Sequence, residues 1–282
     1  MQTFVPWPDF AESARSLDQA RLGKQRVEAL QVLRAVTLPA YGWQSHPAVA
    51  MWRGHREALT AYSLAVTDEW IAQGRADTVR PQIAEFAPGV EATSSGLDLP
   101  AWWGDEAVHR SHRSKLVQKD PEHYRAVFPD APDDLDYTWP PADPRAARPG
   151  DDVALSRRHA WCVRPTSTSV GEDWRQAGVV SVPEESPRGR SGPAWQRQVE
   201  AFAALGTGTE LLVPEPGGAS FARAVVTGPV VAALQDDRAP VLLRTVRRDG
   251  VLLRTDLPDP ALAQDPRTVF PLALDGGADR AR

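Results

Sequence analysis

The chain is poor in cysteine, methionine and lysine, and these shortages exclude whole classes of protein. One cysteine, Cys162, among 282 residues rules out an internal disulfide framework and a cysteine-based zinc site. No apolar run approaches the roughly 18 residues that a membrane span needs. The opening "MQTFVPWPDF" has no basic stretch leading into an apolar one, so no signal peptide and no membrane partner are expected, and the cytoplasm is the expected compartment. Positive charge is scarce overall: the net charge is −5, which does not by itself announce a nucleic-acid partner. The three lysines, Lys24, Lys115 and Lys119, all fall in the first 140 residues. There "RLGKQR" and "HRSHRSKLVQK" stand as compact basic islands among acids. Such islands can hold phosphates on an acidic protein.

What is present is a helical first part and a β-rich second part. "LDQARLGKQRVEALQVLRAV", residues 17–36, places Leu22, Ala29, Leu33 and Val36 on one face at about 100° per residue. Arg21, Gln25 and Glu28 form a stripe along one edge of that face, and Arg26 lies close to it. A surface lattice of weak ion pairs among Arg21, Lys24 and Glu28 would account for the stripe with no function at all. "HPAVAMWRGHREALTAYSLAVTDEWIAQG" reads as one long helix from His46–Pro47 to Gly74, and "DEAVHRSHRSKLVQKD" as a third helix ending at Asp120–Pro121. His109 and His112 have a spacing that could offer two metal ligands, but no third ligand is evident, so no metal and no cofactor is expected.

Between Phe128 and Asp152 the composition turns to proline and acid, a linker or an extended wrap, and the domain boundary is placed there. Beyond it "AWCVRP", "GVVSVP", "ELLVPE", "ARAVVTGPVV", "PVLLRTV" and "GVLLRTDL" read as short strands, with one helix over "AWQRQVEAFAAL". The expected fold is α+β. A helical domain over residues 1–140 leads through a linker at 141–154 to a small β-barrel over 155–275, with a frayed tail at 276–282.

Three blocks of the first part, in order, resemble the pyrimidine dimer DNA glycosylase family. "LDQARLGKQRVEAL" is similar to the family's catalytic helix, with Glu28 at its essential glutamate. "HPAVAMWRGHREALTAYSLAVTDEWIAQG" is similar to its long helix led by a histidine, which His46 matches. "HRSKLVQKDPEHYRAVFP" is similar to its lysine- and aromatic-bearing block, although His123 replaces a tryptophan. The resemblance implies a DNA glycosylase with coupled abasic-site lyase activity, whose nucleophile is the chain's own α-amine. Such an amine, with a reference pKa of about 7.7–8.0, keeps a neutral fraction that lysine lacks. Met1 is the expected nucleophile, because a glutamine at position 2 opposes methionine removal, and Glu28 the expected proton carrier and charge partner. Lys24, one turn before Glu28, is the competing amine.

The resemblance further implies DNA contacts from Arg21, Lys24, Gln25, Arg26, His46, His112, Arg113, Lys115, Lys119 and Tyr124. Trp102 and Trp103 are candidates to fill the gap left by an extruded nucleotide, with at least one of them expected in the buried core instead. Residues 155–275 are similar in pattern to PUA-like and EVE-type modules, which bind nucleic acid. There Trp161, Trp174 and Trp195 are candidates for stacking a modified base, or else core residues of a small barrel. The fusion would then act on a photodimer or on a modified base, as in defence against phage DNA. The contrasting readings are a non-catalytic binder of nucleic acid and an RNA-directed protein.

Overall fold

The computed structural model describes residues 1–150, 156, 158–187, 189, 192–235 and 239–275. It divides into two compact units, Met1–Gly150 and Asp151–Arg282. The predicted tail, residues 276–282, lies outside the described residues, as does most of 151–157.

The first unit is built from helices α1 (Phe10–Arg15), α2 (Gln19–Thr37), α3 (Pro47–Ala50), α4 (Arg56–Ala72), α5 (Arg80–Ala84), α6 (Glu106–Lys119) and α7 (Pro121–Val127). Asp18 caps α2, its carboxylate accepting from the amides of Ala20 and Arg21. The buried face of α2 runs through Leu22, Ala29, Leu30, Val32 and Leu33, and it also includes Gln25. Val36, expected on that face, is only half-buried. Gly23 sits where α2 meets Trp70 of α4: a Cβ there would come within 2.8 Å of the indole, so the helix accepts glycine's lower propensity for a close approach. The Arg26 guanidinium lies over the Trp70 ring, 5.0 Å from its centroid, and pairs with Asp77.

The long helix expected from His46 to Gly74 is two helices. Residues 51–54 turn, and Gly54 takes φ +91°, a left-handed conformation that glycine adopts without a steric penalty. After this break α4 is buried all round from Ala58 to Thr67, as befits a central helix. Its hydroxyls are satisfied internally: Thr60, Ser63 and Thr67 donate to the carbonyls of Arg56, Leu59 and Ser63. The proline- and acid-rich stretch lies along the first unit as an extended wrap. The amides of Leu135 and Thr138 donate to the hydroxyls of Ser114 and Ser111 on α6, and Gln118 donates to the Leu135 carbonyl.

The second unit is a mixed, curled sheet with two helices, α8 (Thr168–Ala177) and α9 (Pro193–Ala204). Its strands are β1 (His159–Val163), β2 (Val179–Pro183), β3 (Glu210–Pro214), β4 (Ser220–Val226), β5 (Val231–Gln235), β6 (Ala239–Leu253) and β7 (Val269–Ala273). The order is β2-β6-β4-β3-β1-β7, with β5 also on β6; β1 and β3 are parallel and the other pairs antiparallel. "PVLLRTV" and "GVLLRTDL", expected as two strands, form one. The Asp249–Gly250 pair that reads as a turn is a bulge: Ala222 pairs with Val251 and Ala224 with Arg248, leaving one extra residue on β6, where Gly250 has φ +106°. Val163, Trp174, Val180, Val182, Trp195, Phe202 and Leu211 are among the residues of its core.

Candidate active site

The first seven residues explain why the first unit buries so many polar side chains. They have no helix or strand partner, so their main-chain groups must be satisfied by other means. Gln25 on α2 accepts from the Phe4 amide at 2.9 Å and donates to the Gln2 carbonyl at 2.8 Å. Trp52 donates to the Thr3 hydroxyl at 2.9 Å, and the Tyr62 hydroxyl donates to the Phe4 carbonyl at 2.7 Å. His112 accepts from the Val5 amide at 3.4 Å and His109 donates to the Val5 carbonyl at 2.8 Å. Arg113 donates to the Pro6 carbonyl at 2.7 Å, and Ser13 exchanges bonds with both main-chain groups of Trp7. Gln25, Trp52, Tyr62 and His112 are wholly buried. The chain's beginning is thus threaded through the core and held residue by residue.

That threading delivers the Met1 amine to 3.4 Å from Glu28 Oε1 on α2. The Met1 side chain is 3% exposed, so the amine is not carried on a free arm. Lys24 Nζ lies 3.7 Å from the same oxygen, but its side chain is 71% exposed. Both amines border a cleft of about 570 Å³ lined also by Gln2, Phe4, Ala20, Arg21, Glu28, His46, Lys119, Tyr137 and Trp139. Met1, Lys24 and Lys119 bring amines to a lining whose one carboxylate is Glu28, a charge balance suited to a phosphodiester chain, while the Arg21 guanidinium is paired with Asp18 and Asp120. Three aromatic side chains complete the lining.

His46 joins the site through its backbone role. As N-cap of α3 its Nδ1 accepts from the Ala48 amide at 3.2 Å, which leaves Nε2–H as the donor of the neutral ring. Burial lowers its pKa, the neighbouring α-amine lowers it further, and Glu28 opposes both. Tyr137 is pushed up to about 12 by burial.

Several expected DNA contacts are spent inside the protein instead. Gln25 and His112 are buried beneath the N-terminal segment and cannot reach a surface ligand. Burial takes the His112 pKa down to about 3, and His109 is lowered by the same cause. His109 and His112, whose spacing could offer two metal ligands, both belong to the core. Tyr124 is likewise buried, its hydroxyl donating to Asp18 at 2.5 Å while accepting from the Asp18 amide. Burial disfavours the Asp18 carboxylate, but Tyr124 and Arg21 outweigh it and its pKa falls below the ordinary value.

Arg26 is held by Asp77 and Trp70, and Arg113 by Pro6 and Glu106. Lys115 pairs with Asp136, whose side chain is fully in solvent, a weak contact that a phosphate could replace. Arg21 borders the cleft with its guanidinium on Asp18, Asp120 and the Lys119 carbonyl. Lys24, His46 and Lys119 also line the cleft, Lys24 beside Glu28 and His46 with only its Nδ1 committed to the cap of α3. Tyr137 and Trp139 were missed because they lie in the stretch of proline and acid, where no periodicity marks a site.

In the second unit the candidate stacking residues are structural. Trp174 donates to Ser181 and Trp195 to the Glu184 carbonyl, both within the core, and Trp161 is half-buried against it. The buried Arg244 donates to the carbonyls of Phe202, Ala203 and Gly228 rather than facing a phosphate. Arg247 and Arg248 pair with Asp249 and Glu215.

Among the described residues no helix is long and apolar enough to cross a membrane, and no cluster of three or more His, Cys, Asp or Glu side chains is arranged to hold a metal ion. Residues 1–80, from the N-terminal segment through α4 to the start of α5, match the family model described as pyrimidine dimer DNA glycosylase. The match coincides with the first two of the three blocks that carry the resemblance in the sequence. No curated protein matches the chain.

Proposed function

We propose that the first unit is a DNA glycosylase with a coupled abasic-site lyase step, acting on damaged or modified bases of the pyrimidine-dimer type. The premise is the family match over residues 1–80, which supports a glycosylase-type repair function with DNA as substrate. The observation that carries the finer reading is the Met1 amine 3.4 Å from Glu28, inside a cleft rimmed by positive charge.

In this reading the neutral Met1 amine attacks C1′ of the damaged nucleotide. The C1′–N bond breaks, and the base leaves with its electron pair and takes up a proton. Loss of the amine's proton gives a glycosylamine. The C1′–O4′ bond then breaks as the nitrogen's electron pair forms the C=N bond, O4′ takes up a proton, and the opened sugar is left as an imine at C1′. Removal of a 2′ proton then breaks the C3′–O bond and expels the 3′ phosphate, and water later hydrolyses the imine to free the amine. Glu28 accepts the amine's proton, returns protons to the leaving base and during elimination, and stabilises the positive charge that develops on the sugar. Neutral His46 donates a hydrogen bond beside the amine without adding a second full charge. Lys119 and Lys24 hold flanking phosphates.

Lys24 remains the competing nucleophile, on its 3.7 Å separation from the same carboxylate oxygen. An amine on a main chain held residue by residue is better oriented than one at the end of an exposed side chain, which favours Met1. For the second unit the PUA-like reading rests on the curled mixed sheet alone, since Trp174 and Trp195 are in the core and Trp161 is packed against it.

Cleavage of a duplex containing an abasic site tests the proposal. The wild-type chain is expected to cut it. Glu28→Gln is expected to cut about 10³-fold more slowly while still binding, in the range of a lost general acid–base. Acetylation of the N-terminal amine, or one extra residue ahead of Met1, is expected to abolish cutting. A wild-type chain that binds DNA but cuts no lesion would support the non-catalytic binder instead.

A further inference from the structure

Trp43 is the one non-glycine residue with a positive φ among the described residues, at +69°. Bulky side chains rarely adopt this conformation, and it persists only where the surroundings dictate it. They do so here. The Trp43 carbonyl accepts from the His46 amide at 2.9 Å, and the Gln44 carbonyl accepts from Arg53 at 2.7 Å. The Gln44 side chain donates to the carbonyls of Leu38 and Pro39, and the Tyr41 amide donates to Leu38. The loop between α2 and α3 is therefore braced at four points.

Its tip carries an indole that packing does not need. Trp43 is 62% exposed, and the other large apolar side chains left in solvent are all aliphatic. The ring lies 5.9 Å from His46, edge to face, and His46 lines the cleft that holds Met1 and Glu28. A braced, exposed aromatic thus stands against a residue of the cleft lining.

Attack on C1′ within a duplex calls for the stack to be opened at the lesion, and the gap left by an extruded nucleotide is costly unless an aromatic surface fills it. Trp102 and Trp103, the two candidates for this in the sequence, are unsuited. Trp102 is 8% exposed and donates to the Met51 carbonyl, and Trp103 packs on Phe10, Trp52 and His109. We propose that Trp43 is the wedge that stacks into the duplex beside the extruded nucleotide. This rests on the glycosylase reading above and names the residue that makes it selective for a lesion within double-stranded DNA.

The test is the ratio of cleavage rates on an abasic site in a duplex and in a single strand, where there is no stack to refill. Trp43→Asn removes the ring yet tolerates the left-handed backbone, so the loop keeps its shape. Its duplex-to-single-strand ratio is expected to fall about tenfold, the size of one aromatic–base stacking contact. Trp43→Phe is expected to recover most of it. An unchanged ratio in Trp43→Asn would overturn the wedge while leaving the glycosylase reading intact. Failure of the wild-type chain to cut either substrate would overturn both.

Discussion

Both units bury polar side chains against main-chain oxygens, but the two use them for different ends. In the second unit Arg244 reaches the carbonyls at the end of α9 and of Gly228, and Arg164 reaches those of Ala263, Asp265 and Arg267, so each guanidinium closes a loop or a helix end. In the first unit Gln25, Trp52, Tyr62, His109 and His112 converge instead on one short segment, residues 2–5, at the start of the chain. Polar burial of the first kind completes a fold. The second kind fixes the position of a chain terminus next to a carboxylate, and that is the expense expected of a site rather than of a scaffold.

Gln25→Leu should break this comparison most sharply. It keeps the volume but orphans the Phe4 amide and the Gln2 carbonyl, at a cost of about 3 kcal/mol in stability. Displacing the Met1 amine by even about 1 Å should lower cleavage by a further factor on the order of 10² per folded molecule. Arg244→Met is the counterpart. Three carbonyls lose a charged donor, with a stability loss of about 3 kcal/mol, but cleavage per folded molecule should not change. Urea unfolding and single-turnover cleavage on both variants measure the contrast; equal effects on activity would erase it.

An effect of intermediate size concerns pH. The unfolded chain protonates His112 near its ordinary value of 6.5, whereas the folded protein resists until about 3. Between these limits the unfolded state holds the extra proton, so stability is fully present above about pH 6.5 and declines as the pH falls through that window. His109, lowered in the same way, adds to the decline. His112→Gln can still accept from the Val5 amide but does not titrate, and should flatten the dependence of the melting temperature on pH. A slope as steep as that of the wild type would mean that other groups govern it. The smallest effect should follow Lys24→Ala. Its pair with Glu28 is exposed and worth less than about 0.5 kcal/mol, and its cleavage should fall by less than an order of magnitude, through weaker phosphate binding.

Much of the scaffold was legible because it depends on local patterns. The helix read over residues 17–36 is α2 at Gln19–Thr37, and the proline-led start at Pro47 is where α3 begins. The pattern failed where tertiary context decides. Gly54 ends a periodic run that continues on both sides of it, and Asp249–Gly250 mimics a turn inside one long strand. β7 went unread because it contains Pro271; the strand lies at the sheet edge, where the missing amide costs no ladder bond.

Of the site, Glu28, Met1, Lys24, His46 and Lys119 were named from sequence and share one cleft. The reason for Gln25, His109 and His112 was not legible, because their partners in residues 2–5 are more than 20 and more than 100 positions away. Nothing in a single sequence distinguishes a histidine that faces phosphate from one that accepts a buried amide.

The most direct test of the account is to trap the protein on abasic or lesion-bearing DNA with borohydride, which reduces any imine to a stable amine, and to map the modified residue by mass spectrometry. The account predicts one adduct on the α-nitrogen of Met1, absent when that nitrogen is acetylated beforehand. An adduct on Lys24, or efficient strand cutting with no trappable adduct, would contradict it.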